Sequence, residues 1–102
     1  MEIVASQHER DKILRGYLTD GGGERLSSMP RRGRKRQVVL EHVVQSFEPG
    51  RRYTEIEVNR TLRPVWPDVA ALRRYLVDHG LLDRSDGLYW RCGGPVLVEP
   101  DA

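Results

Sequence analysis

A chain of 102 residues with 38 % hydrophobic side chains suits one small domain, which buries roughly two thirds of its unfolded surface. That length excludes two domains, a large α/β barrel and a repeat array. The formal charge of +2 is uneven: residues 30–92 carry 13 basic and 8 acidic side chains, the two flanks 4 and 7.

Ser6-Gln7-His8-Glu9 reads as a capping box that opens a first helix over 6–18. Ile13, Leu14, Tyr17 and Leu18 share one face of it, which can serve as a homodimer face or pack on its own domain. Asp20-Gly21-Gly22-Gly23 ends that helix and forms a linker, with neither the preceding strand nor the Gly-Lys-Ser/Thr of a phosphate loop. Residues 24–28 form a short extended piece around Leu26, closed by Met29-Pro30. A second helix is expected over 34–47, with Val39, Leu40, Val43, Val44 and Phe47 on one broad face, ended by Pro49-Gly50.

Five positive charges, Arg31, Arg32, Arg34, Lys35 and Arg36, crowd the start of that second helix. Such a run is either a solvated segment or a phosphate-contacting arm. Cations are unfavourable at a helix N-terminus, and a partner phosphate would relieve the conflict.

Thr54 and Glu57 form another capping box, opening a third helix over 54–63 that Pro64 and Pro67 bracket. Asp68 caps a fourth helix over 69–79, and Gly80 is placed to end it in the left-handed conformation. Two short apolar-aromatic runs around Asp86-Gly87 predict a β-hairpin over 82–91. Residues 93–102 read as a flexible tail, 1–23 as helix plus linker, and 24–92 as the domain.

The order of these elements predicts an α+β domain, mainly α: a winged helix-turn-helix with an extra N-terminal helix. Tyr53-Thr54-Glu55-x-Glu57-Val58-Asn59, Asp68, Leu72-Arg73-Arg74-x-Leu76-Val77-Asp78, Gly80-Leu81-Leu82-x-Arg84 and Tyr89-Trp90-Arg91 carry a family resemblance. Over roughly residues 24–92 the chain resembles the bacterial family called domain of unknown function 2087. Met29 stands before Pro30 where that family's pattern has an aromatic residue or Leu, and fills the apolar role. Members occur alone or fused to helix-turn-helix regulators, so the resemblance implies a transcription-linked role.

No catalytic constellation is legible. Cys92 follows Arg91 with no histidine near it in sequence and reads as a small side chain at a strand end. His8, His42 and His79 are scattered, so neither a metal site nor a cofactor is expected. The parts match a nucleic-acid surface better: phosphate contacts from Arg31, Arg32, Arg34, Lys35 and Arg36, and a wing decorated by Arg84, Tyr89 and Arg91. On the fourth helix Ala70, Arg74, Val77 and Asp78 face outward, while Val69, Leu72, Tyr75, Leu76 and His79 face inward. One arginine among small neighbours permits close approach to a groove of double-stranded DNA. Asp68 and Asp78 oppose phosphates, which keeps a second reading open: a protein-interaction module docking on transcription machinery.

Glu55 and Asn59 fall on or beside the Val58/Leu62 stripe, while Glu57 points away. Two polar groups turned toward a core need partners. The expectation is a buried ion pair between Glu55 and Arg73, with Asn59 bonding backbone before Asp68. The longest apolar runs, Val38-Val39-Leu40 and Val69-Ala70-Ala71-Leu72, are too short to span a membrane. Met1-Glu2-Ile3-Val4 lacks the pattern of a secretory signal, and a lone cysteine fits a reducing compartment. The expected location is therefore the cytoplasm, on the nucleoid if DNA is bound.

Overall fold

The computed structural model describes residues 7–19 and 25–94. Its helices begin where the sequence supplies, or fails to supply, partners for their first amides. Helix α1 spans Gln7–Tyr17; the Ser6 cap lies outside the described residues. Helix α2 (Gly33–Val44) starts after Arg32, which offers no side-chain cap, and has no acidic residue in its first turn. Helix α3 (Glu55–Leu62) starts on the full capping box: Thr54 Oγ1 accepts from the Glu57 amide at 3.2 Å, and Glu57 accepts from the Thr54 amide at 2.9 Å. Helix α4 (Val69–Asp78) starts on the Asp68 carboxylate, which accepts from the Ala71 amide at 3.1 Å.

The ends are equally local. Gly80 has φ +71° and closes α4 with the Gly80 amide bonded to the Val77 carbonyl and the Leu81 amide to the Leu76 carbonyl. That pair of bonds is a Schellman motif, which a residue with a β-carbon forms only under strain. Helix α2 was expected to reach Phe47 but ends at Val44. Its last turn tightens instead, with the amides of Gln45, Ser46 and Phe47 bonding carbonyls three residues back. The tightening turns Phe47 into the core, edge-on to Tyr53 at a centroid distance of 5.0 Å.

Three strands form one antiparallel sheet, β1 (Arg52–Thr54), β2 (Leu82–Ser85) and β3 (Leu88–Arg91), in the order β1-β3-β2. The hairpin falls where it was expected. Asp86 and Gly87 both have positive φ, as a two-residue turn of the primed type requires. Strand β1 was not anticipated. Its three residues are too few to show a period of two, and Thr54 is both its last residue and the cap of α3. Register places Tyr53, Tyr89 and Arg84 in one row, and Arg52, Trp90 and Asp83 in the adjacent row on the other face.

The molecule is thus a small α+β domain of four helices and a three-stranded antiparallel sheet. Its core joins Leu40 and Val44 of α2, Val58 and Leu62 of α3, Leu72 and Leu76 of α4, and Tyr89 of β3. The α1 stripe packs on the chain's own domain. Ile13, Leu14, Tyr17 and Leu18 lie half-buried on the core, Leu18 bridges Leu26, and Arg10 pairs with Glu41 at 2.8 Å. At the other end the Cys92 amide bonds the Leu81 carbonyl, so the described chain stays attached beyond β3. No described helix is long and apolar enough to cross a membrane.

Leu76 is fully buried on α4. Leu76→Ala should lower unfolding free energy by about 2–5 kcal/mol through lost burial and a residual cavity, read by urea denaturation. The capping box predicts a pH dependence as well. The Thr54 backbone amide, then its hydroxyl, hold the Glu57 carboxyl below the usual carboxylate range. A depressed folded pKa contributes stability above the unfolded pKa, and that stability is lost as pH falls through the folded value. Glu57→Gln keeps a capping group without a titrating proton, so it should flatten this part of the acid limb of stability against pH.

Candidate functional site

Reactive groups are the simplest to place. Cys92 is exposed, its sulfur sits 3.3 Å from the Gly80 carbonyl oxygen, and burial followed by the Asp83 charge pushes its thiol pKa up. A thiol held protonated is a poor nucleophile. His79 is hydrogen-bonded through Nδ1 to Gln37 at 2.9 Å, a link between α4 and α2. Among the described residues no three His, Cys, Asp or Glu side chains gather as metal ligands would.

The basic run divides in two. Arg34 pairs with Glu9 of α1 at 3.0 Å, and the Arg36 guanidinium donates to the Pro30 carbonyl at 2.8 Å while lying 4.2 Å from the Tyr75 ring centroid. Those two were expected as free phosphate contacts, and instead they hold α1 and α4 against α2. Arg31, Arg32 and Lys35 are exposed and have no partner among the described residues. Since Arg36 and Gln37 grip Tyr75 and His79, the first turn of α2 lies along the second half of α4. The three open cations belong to the end of α2 that is tied in this way to a helix distant in the chain.

Helix α4 presents the faces that its spacing predicts. Leu72 and Leu76 are fully buried, while Ala70, Arg74 and Asp78 are exposed. Val77 departs from expectation: it is half-buried and packs against the core. Together with Arg73, these outer residues form one wall of an open groove of about 380 Å³, and Arg84 and Tyr89 of the sheet form the other. The hairpin brings one more correction at Tyr89, whose ring is 3 % exposed and belongs to the core. Only its hydroxyl reaches the groove, 3.5 Å from Arg84 Nη1 and 3.4 Å from Glu55 Oε1. That hydrogen bond raises the Arg84 pKa. Arg91 also differs from a free wing cation, since its guanidinium donates to the carbonyls of Gly93 at 3.1 Å and Phe47 at 3.3 Å. It staples the end of β3 to the tightened turn after α2.

Glu55 and Arg73 do meet, Oε1 to Nη2 at 3.5 Å, but Glu55 is 56 % exposed where a buried carboxylate was expected. Asn59 is not bonded to backbone before Asp68; its Oδ1 accepts from Arg73 Nη1. The burial falls on Arg73, 19 % exposed, because α3 begins at the protein surface and only its second turn enters the core. The Tyr89 hydroxyl completes this network and was missed in the sequence. The signal for it was the period of two, which sets Tyr89 and Arg84 in the same row once the hairpin register is known.

An exposed carboxylate sets the expected energetics. Glu55→Ala should cost less than about 1 kcal/mol, against the roughly 3–5 kcal/mol of breaking a buried pair. Arg73→Ala, which leaves Asn59 without its donor, should cost about 1–3 kcal/mol. A double-mutant cycle by urea unfolding should return a coupling below about 1 kcal/mol, and a coupling of several would mean the pair is effectively out of solvent.

No curated protein and no solved structure gives a significant match to this chain. The family model described as an uncharacterised protein conserved in bacteria, domain of unknown function 2087, matches residues 25–91. That span begins after α1 and closes at the last residue of β3, within a residue of the expected limits at each end. The chain belongs to this bacterial family, and the sheet, the groove and helices α2 to α4 lie within its boundaries.

Proposed function

We propose that this domain is a winged helix-turn-helix that binds double-stranded DNA in bacterial transcriptional control, with α4 as the helix offered to the major groove. In this reading α2 is the supporting helix, α3 and α4 form the helix-turn-helix, and the β2–β3 hairpin is the wing. The order helix, strand, helix, helix, strand, strand, with β3 central in the sheet, supports it. One observation carries the function. Arg31, Arg32 and Lys35 stay exposed and unpaired at the start of α2, the helix that Arg36 and Gln37 tie to α4, and the outer face of α4 bears the exposed Arg74. Exposed, unpaired cations on two elements packed together suit a polyphosphate backbone with a groove.

A second reading, a protein-docking module of the transcription machinery, is favoured by Ile56. It is 70 % exposed in the first turn of α3, the one large hydrophobic side chain so exposed among the described residues. Asp78 on the outer face of α4 points the same way.

Salt dependence separates the two. On the DNA reading, the triple variant Arg31→Ala, Arg32→Ala, Lys35→Ala should bind all duplexes more weakly. Its slope of log affinity against log salt should be shallower by about 0.9 for each phosphate that is no longer neutralised. Fluorescence anisotropy with random-sequence duplexes measures this. An unchanged slope would mean that the run is a solvated helix start, and no affinity at low salt would favour the protein partner. Arg34 and Arg36 are left in place because each already has a partner within the domain.

A further inference from the structure

The groove between α4 and the hairpin differs from a plain basic surface, because part of its charge is arranged before any ligand arrives. Three guanidiniums line it, Arg73, Arg74 and Arg84, and two of them are already oriented. Arg73 is held by Asn59 and Glu55, and Arg84 by the hydroxyl of Tyr89, whose own proton is directed at Glu55. A guanidinium has five N–H donors, so Arg73 commits two and Arg84 one to these fixed partners, and the rest remain. Arg74 is exposed with no partner among the described residues.

The balance of charge is informative. Glu55 offsets Arg73 at 3.5 Å, and Asp78 on the rim offsets one of the other two arginines, which leaves the groove with a net charge of about +1. A singly charged anion neutralises the groove, whereas a doubly charged one leaves it with a net negative charge beside Asp78. At about 380 Å³ the groove is in the range that holds an organic ligand, and the Val77 methyls give it one apolar wall.

We infer that this groove is a binding site for a single phosphodiester group, clamped between Arg74 on the helix and Arg84 on the sheet, with Tyr89 as the residue that positions Arg84. The inference deepens the DNA reading and rests on it only for the source of the diester. It also assigns Arg74 to the backbone and not to a base, so the recognition helix would be registered on DNA by this one phosphate.

The full chain allows both claims to be tested separately. In one arm, arginine side-chain NMR signals are followed on adding a dinucleoside monophosphate, and in a parallel sample inorganic phosphate. The diester should shift Arg74 and Arg84 in preference to the other arginines, and more than inorganic phosphate does. Equal or larger shifts with inorganic phosphate, or none with the diester, would overturn the site. In the other arm, duplex binding is measured by anisotropy between about 50 and 200 mM salt for Arg84→Gln and Tyr89→Phe. Arg84→Gln should lower affinity about tenfold and reduce the salt slope by about one, and Tyr89→Phe should give a smaller loss in the same direction. Wild-type duplex binding with both variants unchanged would overturn the clamp and leave the DNA reading standing. Diester shifts without any duplex affinity would do the reverse. Arg84 is exposed, so its variant should fold, and Tyr89→Phe keeps the buried ring.

Discussion

Register in the sheet places Tyr53, Tyr89 and Arg84 side by side, and much of the molecule follows from that single row. The two tyrosine rings are 6 % and 3 % exposed, so they close the core beneath α2 and α3. Their hydroxyls are the only parts left to satisfy, and each finds a partner at the boundary. Tyr53 accepts from the Glu48 amide at 2.8 Å, and Tyr89 joins Glu55 to Arg84. A slip of one residue in this pairing would exchange Tyr89 for Trp90, expose the ring that fills the core and turn Arg84 away from α4. The packing requirement of two aromatic rings thus fixes the geometry of a surface arginine.

A second dependence runs through the start of α2. A helix that begins among cations with no capping side chain is disfavoured by its own dipole, typically by about 0.3–1 kcal/mol for each charge near the end. The fold answers part of that conflict internally. Glu9 of α1 faces Arg34, and Arg36 leaves the helix end to lie over Tyr75 and bond the Pro30 carbonyl. Arg31, Arg32 and Lys35 receive no such answer and remain exposed at the start of α2. Exposed pairs such as Glu9–Arg34 contribute little to stability and are better understood as fixing where α1 rests.

The Glu55–Arg73–Asn59 network has the same character. With Glu55 more than half exposed, its attraction to Arg73 is screened by water and contributes little to the folding free energy. What it supplies is orientation: a guanidinium gripped on two sides cannot wander, and it holds one end of the groove while α3 and α4 keep their angle. Polar networks of this kind tie surface geometry to the core without carrying the stability of the fold.

Features encoded within a few neighbouring residues were legible in the chain itself. The capping box at Thr54 and Glu57, the Asp68 cap, the Gly80 stop, the Asp86-Gly87 turn and the inward faces of α2 and α4 all follow from short-range hydrogen bonding and from a period of 3.6. Even the meeting of Glu55 with Arg73 could be read from the helical wheel. Tertiary structure decided what depends on pairing between distant segments. Strand β1 exists only because β3 offers it a partner, and three residues alone cannot announce a strand. Tyr89 became core and Arg91 a staple because strand register, set across the sheet, chooses the face of each side chain. Of five neighbouring cations, the fold engaged two and left three open, a division made by the positions of Glu9, Pro30 and Tyr75, none of them in the run. Local chemistry sets which elements form, whereas burial and partners brought from elsewhere in the chain set which of their residues face the solvent.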